Sequence, residues 1–209
     1  MSAFALPGGD EEPPGRPRVR RPSEWPLLPG NRASEQVLLR SEQVLLSNGR
    51  KATLRPVRPQ DAPAEHRFIQ SLSPRSRLMR FHGAVNLLPA TVLRKMTQVD
   101  QQQHVALVAV AATDDGAPLL VADARYVIDA HDPAGADFAL AVADDWQRLG
   151  LGRRLLQRLA GHAAQQGVRR LHGSVMAGNE PMLALMRHLG ASWRSEPGDA
   201  STLTAVLPA

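Results

Sequence analysis

The chain of 209 residues contains no cysteine. That absence excludes a disulfide-stapled fold, a thiol nucleophile, a thiolate zinc site and iron–sulfur ligation. No run of about 18 apolar residues occurs, so nothing reads as a membrane-spanning helix. The first twenty residues lack a basic start followed by an apolar stretch, and the pair Arg20-Arg21 leads into Pro22-Ser23-Glu24. No secretory signal is therefore expected, and a cytoplasmic protein is. Lysine is almost missing: of 25 basic residues only Lys51 and Lys95 are lysines. The seven histidines show no His-x₃-His or HExxH spacing, so no metal site is expected. The net charge of +5 is spread along the chain without a block of like charges. That spread argues against nucleic acid and for an anionic small ligand as the partner of the arginines.

What is present is enough for one domain with an appendage. Hydrophobic residues make up 43% of the chain and can supply a core. Residues 1–41 read as a Pro/Gly/Arg-rich tail that cannot offset its own ordering entropy; residues 42–209 read as the folded domain. Ser34–Leu39 recurs as Ser41–Leu46, two copies at a spacing of seven, too few for a coiled coil. Asn48-Gly49 then predicts a hairpin between strands at 44–46 and 52–57. Helices are expected over 59–72, 73–81 and 89–99. Strands are expected at 105–112 and 119–128, separated by the turn signal Asp114-Asp115-Gly116, and at 137–143. Leu151, Leu155 and Leu159 on one face predict a helix over 150–166 that Gly167 stops. A strand at 170–175, a helix at 179–189 closed by Gly190, and two short strands complete an α/β (α+β) order.

Chemistry concentrates where the strand at 137–143 meets the helix at 150. The first turn of a helix has unpaired backbone N–H groups and the positive end of the dipole, which together bind phosphate. Gly150 and Gly152 would let a ligand approach the backbone, and Arg148, Arg153 and Arg154 add charge. A pyrophosphate suits such a turn. A dinucleotide fingerprint does not fit, because Leu155 takes the third glycine position and Arg169-Arg170 stand where an acidic residue is needed. A Walker loop is excluded by the absence of Gly-Lys-Ser/Thr.

In this context Gln147-x-x-Gly150-x-Gly152 resembles the acetyl-CoA signature of the GCN5-related N-acetyltransferase (GNAT) family. Gly178–Gly190 resembles that family's second cofactor segment, with Asn179 in the asparagine position. Arg50–Asp61 and Leu72–Gly83 are similar to the acetyltransferase domain of bacterial protein-lysine acetyltransferases. The resemblance covers about 42–209. It implies a mixed, mostly antiparallel central sheet with helices on both faces and a splayed pair formed by the family's fourth and fifth strands. It also implies acetyl-CoA as co-substrate, no metal, and an amine acceptor, foremost a protein lysine. The backbone of Arg148, Leu149, Gly150, Leu151, Gly152 and Arg153 would hold the pyrophosphate, with Gln147 opening the motif. Leu140–Val142 would bond the pantetheine arm and polarise the thioester carbonyl, and Asn179 would contact the arm.

Amine attack on a thioester needs a base. Asp137 is the candidate, standing in Asp137-Phe138-Ala139 where the protein acetyltransferases carry Glu-Phe-Ala. Its alternative is an ordinary strand-end carboxylate; Asp123, isolated in an apolar strand, and Glu180 are rivals. An unperturbed aspartate near pKa ~3.9 is a poor base at neutral pH. Many relatives place a tyrosine acid where Met186 stands, whereas the one tyrosine here, Tyr126, is on another strand. Asp144 is expected to cap a turn or the start of a helix, Met182 and Met186 to belong to the core, and Trp146 to pack under the loop. A small-molecule amine acceptor, or a catalytically silent acyl-CoA-binding regulatory module, is the alternative function. Residues 1–41 are too few for the cyclic-nucleotide or synthetase domains fused to some relatives, so regulation through them is not expected.

Overall fold

The computed structural model describes residues 40–83, 87–113, 116–196 and 199–209. Nearly all of the expected tail, the first copy of the repeat, and Asp114-Asp115 lie outside the described residues. The chain runs β1 (Glu42–Leu45), β2 (Lys51–Pro56), α1 (Ala62–Ser71), α2 (Pro74–Phe81), α3 (Ala90–Thr97), β3 (His104–Ala112), β4 (Pro118–Ile128), β5 (Gly135–Val142), α4 (Leu151–Gln165), β6 (Arg170–Met176), α5 (Glu180–His188), β7 (Ser192–Glu196) and β8 (Asp199–Pro208). This is the order read from the sequence.

The strands form one sheet in the order β1-β2-β3-β4-β5-β6-β8-β7. Every neighbouring pair is antiparallel except β5 with β6. The β1–β2 turn closes as Asn48-Gly49 demands. Gly49 takes φ +82°, a region open to glycine at no steric cost, and the Asn48 side chain accepts from the Arg50 N–H at 3.1 Å.

Side-chain alternation gives each face of the sheet its own core. On one face Ala136, Phe138, Leu140 and Val142 of β5 pack against Leu151, Leu155, Leu156 and Leu159 of α4. On the other, Ala139 and Ala141 of the same strand meet Phe68, Ile69, Phe81 and Met96 from α1–α3. No described helix is long and apolar enough to cross a membrane.

Charges are buried inside the second face. Period two puts Asp123 and Arg125 on the same side of β4, with side chains 1% and 0% exposed. Arg125 Nε donates to Asp123 Oδ1 at 2.9 Å, a second guanidinium nitrogen makes an ion pair with Oδ2, and Nη1 donates to the Met96 carbonyl at 3.0 Å. Arg80 of α2 reaches Asp123 at 3.5 Å, and Glu65 of α1 lies 3.8 Å from Arg125. Burial, reinforced by the charge of Asp123, pushes the Glu65 carboxyl up to about 8. Burial draws Arg80 down to about 10 and, with Arg125 alongside, holds His104 neutral, well below the ordinary imidazole value. Asp123 is thus not the isolated carboxylate of the sequence reading. It is committed to two arginines, which removes it as a rival base.

Candidate functional site

The site begins where β5 and β6 part. They pair only over Gly135–Asp137 against Arg170–His172. Beyond that point β5 runs on to Val142, held on its other side by β4, and its edge toward β6 has no strand partner. The open V is walled by Leu140 and Val142 of β5, the first turn of α4, and Met182 and Leu185 of α5, around a cavity of about 470 Å³. The wall is mostly apolar, which suits the body of a flexible ligand arm. A second cavity of about 520 Å³ shares Gly150 and Arg153 with the first and adds Arg154, Gln157 and Ser47.

The two glycines do different work. Gly150 opens α4 with φ +86° and no side-chain cap. A Cβ there would meet nothing within 4 Å, so glycine is needed for the dihedral and for ligand approach rather than for packing. At Gly152 a Cβ would sit 3.2 Å from Leu140 Cδ2 and 3.4 Å from Leu185 Cδ2. Its absence keeps the walls of the V in place. The free N–H groups of the first turn then face the mouth with the positive end of the dipole, flanked by Arg153. Leu149 lines the second cavity. Leu151 is buried in the core at 1% exposure, so only its backbone can serve an anion.

Several candidate residues brace the site. Gln147 lines the cavity, but its Nε2 donates to the Val142 carbonyl at 3.0 Å and to Ser76 Oγ at 3.3 Å. Asp144 caps a helix other than its own: it accepts from the Ser73 N–H and Oγ at 2.9 Å and from Ser76 Oγ at 2.7 Å, pinning the start of α2. Burial alone would raise its carboxyl, and these bonds outweigh burial and lower it. Trp146 packs beneath the loop at 6% exposure, with the Arg50 guanidinium 3.4 Å above its ring centroid, a cation–π contact. Asn179 is 3% exposed, and its Oδ1 caps α5 by accepting from the Met182 N–H at 3.3 Å. It is not among the residues lining the cavity. Met182 and Met186 are core, at 2% and 0% exposure. The Tyr126 hydroxyl is buried 2.8 Å from His162 Nδ1, away from the V. Glu180 lines the cavity mouth at the start of α5.

Asp137 stands at the vertex of the V, on the face of Ala139 and Ala141. Its neighbour across the parallel register is His172, whose Nε2 lies 2.9 Å from Asp137 Oδ1, with side chains 24% and 18% exposed. Burial would lower the His172 pKa. The hydrogen bond and charge of Asp137, with Asp129 behind it, outweigh burial and raise it above the ordinary imidazole value, against opposition from Arg170. Among the described residues no group of three or more His, Asp or Glu is arranged to hold a metal.

This arrangement has counterparts. The acetyltransferase (GNAT) family model matches residues 80–191. Acetyltransferase PA5475 of Pseudomonas aeruginosa is 32% identical over 156 residues, 75% of this chain and 83% of that protein. Acetyltransferase Pat of Mycolicibacterium smegmatis is 31% identical over 156 residues, and the chain spans only 46% of its length. The crystal structure of the GNAT domain of S. lividans PAT is 26% identical, with a TM-score of 0.72 over 81% of this chain and 97% of that one.

Proposed function

Because the chain belongs to the GNAT family of acetyltransferases, we propose that it moves the acetyl group of acetyl-CoA to a primary amine, foremost a protein lysine. The observation that carries this reading is the open V between β5 and β6, which runs without a break into an uncapped, glycine-opened helix start. Acetyl-CoA supplies an acetyl group activated as a thioester. The residues present fit it. The amides from Arg148 to Arg153 would bind its pyrophosphate, the unpaired edge of Leu140–Val142 would bond its amide-bearing arm, and the apolar wall would exclude water from the reacting end. Asp137 would serve the removal of the amine proton from the opposite face of the sheet. The acidic side chains of Asp129 and Asp137 near the vertex favour an acceptor that arrives as a cation.

The test is release of coenzyme A thiol, which the cysteine-free chain lets a thiol reagent read without background. Purified protein with acetyl-CoA is expected to release thiol only when a lysine-bearing protein or peptide is added, with acetyl-lysine found by mass spectrometry. Release driven equally by small amines would move the acceptor to that class. No amine-dependent release across both panels, with coenzyme A still bound, would leave a silent binding module.

Gly150→Asp is expected to weaken coenzyme A binding by on the order of 2–4 kcal/mol, since it places a carboxylate where phosphate must lie. Gly150→Asn tolerates the left-handed dihedral and carries no charge, so it should lose much less. Calorimetry giving the Asp variant an affinity within twofold of wild type would remove the pyrophosphate site from this loop.

A further inference from the structure

His172 is a half-buried, titratable group that no motif singled out, and it sits at the last register pair before the two arms of the V part. Its Nε2 is 2.9 Å from Asp137 Oδ1, and the parallel register Asp137↔His172 holds the two side chains side by side on the acceptor face. The site also poses a chemical problem. A carboxylate takes up a proton at neutral pH less readily than an imidazole does. We propose that the proton acceptor is His172, through Nδ1, and that Asp137 is its positioning residue, accepting the Nε2–H bond and stabilising the imidazolium. This rests on the acetyl-transfer reading above.

The step balances. The ammonium form of the acceptor gives one proton to Nδ1, directly or through a water, and keeps the lone pair that attacks the thioester carbon. As the carbon–sulfur bond breaks, its electron pair leaves with sulfur. The attacking nitrogen, now bonded to the acyl carbon, gives its second excess proton to the departing thiolate, directly or through a water, and the proton on His172 passes to solvent. Asp137 takes no proton in this step.

The surroundings suit this role. Asp137 and Asp129 favour the charged ring, Arg170 and burial oppose it, and the balance falls above the ordinary histidine value. Arg170 is itself paired with Asp132. A Cβ on Gly135 would lie 3.4 Å from His172 Cε1 and 3.0 Å from Asp132 Oδ2. Glycine at 135 therefore leaves the room in which the ring lies. On β8 the residue opposite His172 is the uncharged Val206.

The experiment uses the full chain and three variants: His172→Gln, His172→Asn and Asp137→Asn. Imidazole NMR titration of the wild type should give His172 a pKa above ~6.5, and Asp137→Asn should drop it below that value, where burial alone would leave it. Both His172 variants should keep coenzyme A affinity by calorimetry while kcat at pH 7 falls roughly 10²–10⁴-fold, with the loss shrinking as pH rises toward the pKa of the amine. His172→Gln still offers an N–H to Asp137. If it keeps kcat within twofold while Asp137→Asn is dead, Asp137 is itself the base and the proposal fails with the acetyl-transfer reading intact. If Asp137→Asn also keeps its kcat, the base reading fails as a whole. A wild-type His172 titrating below ~6.5 overturns the proposal whatever the kinetics show.

Discussion

Asp137→Asn is expected to lower kcat by roughly 10²–10⁴ at pH 7 while leaving coenzyme A affinity unchanged. The separation follows from geometry. The loop proposed to take the pyrophosphate begins at the far end of β5, and Asp137 lies at the near end, where β5 still pairs with β6. Asparagine keeps the size of the side chain and can still accept a hydrogen bond from His172, but it has no charge with which to stabilise an imidazolium. The loss should diminish at high pH, where more of the acceptor is already the free amine. Stopped assays across pH, paired with calorimetry, read both halves. A loss confined to affinity, or an unchanged kcat, would detach Asp137 from the chemistry. Circular dichroism guards against a loss caused by unfolding.

The order of strands and helices was readable because its signals are local. Asn48-Gly49 makes a turn wherever it stands between two apolar runs, and the leucine spacing after Gly150 admits no other element. The shape of the loop was readable for the same reason, since a glycine at a strand-to-helix turn carries its meaning within a dozen residues, and Gly150 does open α4. Long-range pairings were not. Asp144 reads as a cap for a turn or a helix start, and only the packing of α2 against the end of β5 shows that the helix is α2, whose Ser73 and Ser76 it holds. His172 carried no signal, because the register of a parallel pair joined through α4 is not written in either strand. Arg125 did carry one: two residues after Asp123 in a strand, it must share the same face.

That pair sets up the second large effect. Asp123→Ala is expected to cost about 3–5 kcal/mol of stability, because it leaves Arg125 and Arg80 buried with their main anion gone. The damage should reach the site. In the register of the sheet Arg125 lies opposite Ala139 and Asp123 opposite Ala141, and Arg125 also holds the end of α3 through the Met96 carbonyl. The acceptor wall would loosen before the cofactor loop. Glu65 gives the cluster a pH signature whose sign can be worked out. Its folded carboxyl is pushed up to about 8, against about 4.3 in an unfolded chain. Between those values the folded state binds the extra proton, so the contribution is fully present below about 4.3 and is lost as pH climbs to about 8. Chemical denaturation of the wild type should show the midpoint falling from pH 5 to pH 8. Glu65→Gln, uncharged at every pH, should flatten that slope. An unchanged slope in the Gln variant would mean that Glu65 is ionised in the folded state and paired with Arg125. A cost below about 1 kcal/mol for Asp123→Ala would mean that water reaches the two arginines, at odds with side chains 2% and 0% exposed.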